Sequence, residues 1–224
     1  MVSSRPPSLL VAAEGLDGSG KSLQLDLLAR WLERQGRTVT VEPWAPSELV
    51  DRAVGSPRLR AALTPRVAAL LAAADAARRL DVDVRRPLAA GSIVLADRYA
   101  WTAAAREIAR GLEPEWVASL YGFAPRPDLV LFFRQAPEAA VVRSLARRES
   151  SVRAAAISLV FEGFLERMLA AFDRLSAGAD GGPAFGPWPV RVAVFDALLE
   201  PSRLATQVRE AVRPLLERAA VASR

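Results

Sequence analysis

Gly15, Gly20, Lys21 and Ser22 stand at the spacing G-x-x-x-x-G-K-S, inside the run AEGLDGSGKSL from Ala13 to Leu23. Those residue types at that spacing suit the holding of a chain of phosphates. Glycines at 15, 18 and 20 admit torsions closed to other residues, so successive N–H groups can point into one concavity. A helix opening near Lys21 adds the positive end of its dipole. Lys21 would reach the β- and γ-phosphates, and the Ser22 hydroxyl would ligate magnesium. The candidate nucleotide-binding residues are therefore Gly15, Leu16, Asp17, Gly18, Ser19, Gly20, Lys21, Ser22 and Leu23.

Such a loop needs a strand before it and a helix after it. Leu9 to Ala13 is an apolar run fit for a buried parallel strand. Leu23, Leu25, Leu27, Leu28, Trp31 and Leu32 recur at helical spacing up to a stop at Gly36. Further strands are predicted at 38–41, 92–96, 128–133 and 190–195, alternating with helices. The helices are expected at about 47–54, 64–84, 101–110, 114–121, 137–148, 155–175 and 201–218. Residues 1–7 read as a flexible tail, and 178–189 as a Gly/Pro loop. Strands alternating with helices predict an α/β fold with a parallel sheet covered on both faces. In such sheets ligands bind beyond the carboxyl ends of the strands. That rule gathers the glycine loop, Glu42, Asp97 and Arg98 at one edge of a single domain spanning 1–224.

Composition narrows the chemistry. The chain has 224 residues, 51% of them hydrophobic, with neither cysteine nor histidine. Disulfides, thiolate metal sites and imidazole catalysis are thereby excluded. Acid–base work falls to Asp or Glu, and electrostatic work to Lys and Arg. The net charge is +5, but no run of five or six like charges forms a basic arm. Small anionic substrates explain the bias without a nucleic acid. No apolar run approaches the roughly 18 residues of a membrane span. The opening MVSSRPPS lacks the apolar core of a signal peptide, so the cytoplasm is the expected location.

Further motifs carry a resemblance. Glu14 and Asp17 flank the first glycines, Glu42-Pro43 closes the second strand, and Ala73-Ala74-Asp75 lies in the long helix. Asp97-Arg98-Tyr99 follows the third strand, and Arg126-Pro127-Asp128-Leu129 opens the fourth. In this order the motifs resemble those of the thymidylate kinase family, over nearly the whole chain. The resemblance implies a P-loop NTPase fold, a five-stranded parallel sheet in the order 2-3-1-4-5. It implies transfer of the γ-phosphoryl group of ATP, with Mg2+, to a nucleoside monophosphate, and a homodimer. Arg98 would bridge donor and acceptor phosphates. Asp17 would help to place the acceptor or its metal, and Asp97, with Ser22, would act through magnesium. The segment 147–154 falls where the family has its lid, so Arg147, Arg148 and Arg153 are candidate catalytic arginines.

The likeness breaks at the acceptor base. The position of the family's stacking aromatic is Ala72, and that of its base-binding arginine is Ala76. Its later polar and tyrosine positions fall at about Ala103 and Arg106, although Thr102 keeps a hydroxyl. Either the pocket is refilled by Trp44, Trp101 and Arg106, or the acceptor differs. A hydroxyl acceptor would use Glu42 as general base. A monophosphate would need arginines among Arg52, Arg78, Arg79 and Arg98, although Arg78-Arg79 also reads as a solvated helix face. Asp17, Glu42, Trp44, Arg52, Ala72, Asp75, Arg98, Thr102 and Arg106 are the candidate acceptor-site residues. A protein that holds ATP without transfer is the remaining alternative; the intact Lys21, Ser22, Asp97 and Arg98 oppose it.

Overall fold

The structure is a computed structural model that describes residues 8–44, 47, 50, 56–58, 63–146, 153–177 and 190–222. Within these, side chains are described except at 144–146, 153–162, 177 and 219–222. The central strand β1 (Leu9–Glu14) is buried along its whole length. It pairs in parallel with β3 (Ile93–Asp97) on one side and β4 (Leu129–Arg134) on the other. The edge strands β2 (Val39–Pro43) and β5 (Val192–Asp196) complete a parallel sheet, in the order β2-β3-β1-β4-β5 among the described residues. This is the α/β architecture and strand order that the motifs imply.

Alternation along the strands sends side chains to two cores. Leu10, Ala12, Val94, Ala96, Val130 and Phe132 face one of them, and Leu9, Val11, Leu95, Leu131 and Phe133 the other. The second core is closed by α1 (Lys21–Glu33), through Leu25, Leu28 and Leu32, and by the chain's last helix, through Leu204, Val208 and Val212. That helix, Pro201–Ala222, is α8 in the numbering used below.

The first core lies under α2 (Pro65–Arg79), α4 (Ala100–Ala109), α5 (Pro114–Leu120) and α7 (Arg153–Ala177). Helix α6 (Pro137–Ala146) adds Ala140 and Val141. Alanine at many of these positions lets α4 and α7 approach closely over the sheet.

Thr64 caps α2 by accepting the Val67 N–H at 3.3 Å, with Pro65 at the first helical position. The expected helix over 64–84 does not stay α-helical to its end. It widens into a π-helical stretch, Leu80–Arg85, and resumes as the short α3 (Arg86–Ala89). Pro87 has no N–H to close an α-turn onto the Asp83 carbonyl, and the wider turn accommodates that loss while Leu80 and Val84 stay buried. The other described helices and strands lie within a few residues of their predicted ends. The helix expected at 47–54 falls almost wholly outside the described residues. Among the described residues no helix is long and apolar enough to cross a membrane.

Candidate active site

The parallel register sets Ala13, Pro43 and Asp97 side by side, so the segments that follow them open on one edge of the sheet. At that edge the glycine loop turns sharply. Gly15 has φ 136, and a Cβ there would lie 2.4 Å from the Phe133 carbonyl oxygen, so only glycine fits. Gly20, with φ 82, caps α1 and leaves the first amides of the helix open towards the loop. Lys21 is 4% exposed. Its Nζ donates to the Gly15 carbonyl at 3.0 Å, the Leu16 carbonyl at 2.7 Å and Ser19 Oγ at 3.0 Å. Burial, and then the neighbouring charge of Arg98, pull the Lys21 ammonium down from 10.5 to about 7, against the carboxylates of Asp97, Asp17 and Glu14.

Ser22 donates its hydroxyl to Asp97 Oδ2. The two residues are 75 positions apart in sequence and meet because α1 starts where β3 ends. Their hard oxygens are the donor set that suits Mg2+, which takes few protein ligands and fills its shell with phosphate oxygens and water. No group of three or more acidic, His or Cys side chains forms a dedicated metal cage among the described residues, and the same preference for phosphate and water requires none.

Arg98 faces the loop. Its Nη2 donates to Asp17 Oδ1, and its Nη1 lies 3.5 Å from the Gly15 carbonyl oxygen. It is the one non-glycine residue with positive φ, 75, among the described residues. A left-handed arginine is strained by about 1–2 kcal/mol, a condition that clusters at functional sites. Partial burial raises the Asp17 carboxyl, but the charges of Arg98 and Lys21 and the hydrogen bond from Arg98 outweigh it, holding Asp17 below the usual carboxylate range.

Two residues that sequence reading passed over complete the loop. Gln135, 3% exposed just after β4, donates to the Asp17 carbonyl at 2.9 Å. Arg143 on α6 donates to the Gly18 carbonyl at 3.2 Å and the Ala197 carbonyl at 3.0 Å, tying the loop to the end of β5. The position of Gln135 at a strand's carboxyl end was a usable signal. Arg143 sits in an ordinary amphipathic helix and gave none.

The acceptor-side candidates are brought together only in part. Glu42, Trp44 and Arg79 line one small recess with Arg98 and Tyr99. Arg79 Nη2 donates to Glu42 Oε1 at 3.0 Å and to the Pro43 carbonyl at 2.5 Å, and its guanidinium lies 5.2 Å from the Trp44 ring centroid. Trp44 meets Tyr99 edge-on, with centroids 6.0 Å apart. Arg78 is exposed as a solvated face requires; Arg79, at 7% exposure, is buried and does not belong to it. Trp101, 7% exposed, is a core residue and offers no ring to a ligand.

Thr102 is turned inward as well: it is fully buried, and its hydroxyl donates to Glu14. Asp75 accepts the Ser47 N–H at 3.0 Å. Ala76 is 1% exposed inside the core, whereas Ala72 is half-buried. Arg106 stands on α4 within electrostatic reach of Asp17 and Arg98; burial, then the charges of Arg98 and Arg110, lower its pKa. Arg52, Arg147 and Arg148 lie outside the described residues, as does the side chain of Arg153.

A glycine loop on a helix N-terminus, a buried lysine, a hydroxyl–carboxylate pair and a facing arginine, all at the carboxyl edge of a 2-3-1-4-5 parallel sheet, define a P-loop phosphotransferase. The thymidylate kinase family model matches residues 13–177. A probable thymidylate kinase 2 of Saccharolobus solfataricus is 34% identical over 177 residues, covering 75% of this chain and 83% of that protein. The thymidylate kinase of Synechococcus sp. (strain RCC307) is 33% identical over 217 residues, covering 91% and 95%. A probable thymidylate kinase of Thermococcus kodakarensis is 39% identical over 131 residues, covering 54% and 64%. The chain belongs to the thymidylate kinase family, and is an enzyme of the nucleoside monophosphate kinase class.

Proposed function

We propose that this enzyme transfers the γ-phosphoryl group of ATP to a nucleoside monophosphate, thymidine monophosphate or a related or modified nucleotide. The observation that carries the reading is the placement of Arg98, strained at φ 75 and directed at Gly15 and Asp17 across the cleft that Lys21 closes. Phosphoryl transfer asks mainly for positioning and charge neutralisation. The loop amides and Lys21 hold the β- and γ-phosphates, and Arg98 reaches the group in transit from the opposite side. Ser22 and Asp97 hold Mg2+, which neutralises phosphate charge when bound. Asp17 keeps Arg98 directed at the loop, and one of the arginines 147, 148 and 153 closes over the phosphates from the lid segment 147–154.

A hydroxyl acceptor is the second reading. It is favoured by one observation: Glu42, at the end of β2, lines the recess beside Arg98. Against it, Arg79 already occupies Glu42 Oε1. We take the whole chain as one kinase domain located in the cytoplasm, and dimeric as the resemblance implies. An ADP-release assay over nucleosides and their monophosphates separates the readings. Turnover with monophosphates, thymidine monophosphate first, is the expected result; turnover only with unphosphorylated alcohols transfers the assignment to the second. ATP binding without ADP release from any acceptor would sink both.

A further inference from the structure

Glu14 ends β1 and immediately precedes the first loop glycine, yet its side chain serves a different segment. It is 1% exposed. One carboxylate oxygen accepts the Trp101 N–H at 3.0 Å, and the other accepts the Thr102 N–H at 3.0 Å and the Thr102 hydroxyl. Those amides belong to the first turn of α4, where the residue at the cap position, Tyr99, makes no side-chain capping bond. Helix N-terminal amides need acceptors, and the two side-chain oxygens of Glu14 supply them. A residue from a neighbouring strand therefore caps α4.

The cap lies three residues beyond Arg98. On the near side, the Arg98 N–H donates to the Ala13 carbonyl at 2.9 Å. On the far side, Tyr99 is pinned through its hydroxyl to the Pro125 carbonyl at 2.9 Å, and Glu14 grips residues 101 and 102. Ala13 and Glu14 thus clamp both ends of the turn that carries Arg98. A left-handed arginine persists only where its surroundings over-determine it, and this clamp supplies that constraint.

We infer that Glu14 is a positioning residue for phosphoryl transfer: by capping α4 it holds the Arg98 backbone so that the guanidinium is delivered to Gly15 and Asp17. The inference rests on Arg98 acting on the transferred group, and the loss of kcat in Arg98→Ala alone checks that separately. The decisive experiment is a double-mutant cycle in kcat between Glu14→Gln and Arg98→Ala. Glu14→Gln keeps the shape of the side chain but puts an NH2 where an amide donor needs an acceptor. In the wild-type background it lowers kcat by about tenfold or more, the scale of a misplaced catalytic group, with KM for ATP changed by under about twofold. In the Arg98→Ala background the same substitution changes kcat by under about twofold, because the group it positions is gone. An equal loss in both backgrounds, or none in the wild type, overturns the inference. Should Glu14→Gln not fold, Thr102→Val replaces it. That variant removes only the hydroxyl contact, and its smaller loss must likewise vanish in Arg98→Ala.

Discussion

The phosphate end and the acceptor end of this cleft were built by different means. At the phosphate end the chemistry is carried by backbone: glycine torsions, open amides at the start of α1, and carbonyls that fix Lys21. At the acceptor end proposed above, it would be carried by side chains, and those lining the recess beside Arg98 include Glu42, Trp44 and Arg79. The positions where the resemblance leads one to expect a stacking ring and a base-binding arginine hold Ala72 and Ala76, while Trp44 and Arg79 pack together in the recess beside Arg98. Backbone chemistry tolerates few residues at few positions, so it stays recognisable. A recess filled by packing can be refilled from another element.

The largest expected effect bears on the phosphate end. Lys21→Ala removes a buried charge that follows the phosphoryl group, and kcat should fall at least about a hundredfold. Steady-state ADP release checks it, and a loss under tenfold would place the phosphate chemistry elsewhere. At the acceptor end, Ala76→Arg should fail to restore a base pocket. Ala76 is 1% exposed inside the core, so a guanidinium there is both overpacked and unpaired, and urea unfolding should show a loss of about 3 kcal/mol or more. The same arginine without a stability loss would mean that this end is open rather than repacked.

A finer contrast concerns the strained arginine. Arg98→Gly and Arg98→Ala both lack the guanidinium, but only glycine adopts φ 75 without strain. The glycine variant should be the more stable by about 1 kcal/mol, although both are slow enzymes. Equal stabilities would show that the backbone there is unstrained.

The smallest effect is the shape of a pH curve. Burial raises the Glu14 carboxyl from 4.5 to about 7, against the hydrogen bonds from Thr102 and the charges of Arg98 and Lys21. The folded protein therefore keeps this proton up to about pH 7, whereas the unfolded chain releases it near 4.5. Across that window the folded state binds more protons, so this contribution to stability falls as pH rises. Melting temperatures measured from pH 5 to 7 should decline more steeply in the wild type than in Glu14→Gln. Parallel declines would contradict the shift.

The phosphate edge was legible because the loop and D-R-Y motifs are local and each follows a strand. The sheet order was legible through the family resemblance that these motifs and P-D-L carry. Arg98 and Asp17 could be named before their meeting was seen, because both sit at carboxyl ends that a parallel sheet must align. What could not be read was direction. Thr102 and Trp101 have types suited to ligand contact, yet α4 turns both inward, one to Glu14 and one to the core. Arg78 and Arg79 are adjacent and identical in type, yet helix geometry exposes one and buries the other against Glu42 and Trp44. The π-helical widening at Leu80–Arg85 arises from a proline downstream of it, which periodicity does not register. Arg143 acts through backbone carbonyls, which no residue pattern specifies.

The most direct measurement follows the γ-phosphorus of Mg-ATP by phosphorus NMR in the presence of thymidine monophosphate and other nucleoside monophosphates. Transfer across the cleft between Lys21 and Arg98 predicts that ADP and a nucleoside diphosphate appear together with the wild type and not with Lys21→Ala. ATP left intact by the wild type with every monophosphate, or transfer undiminished in Lys21→Ala, would contradict it.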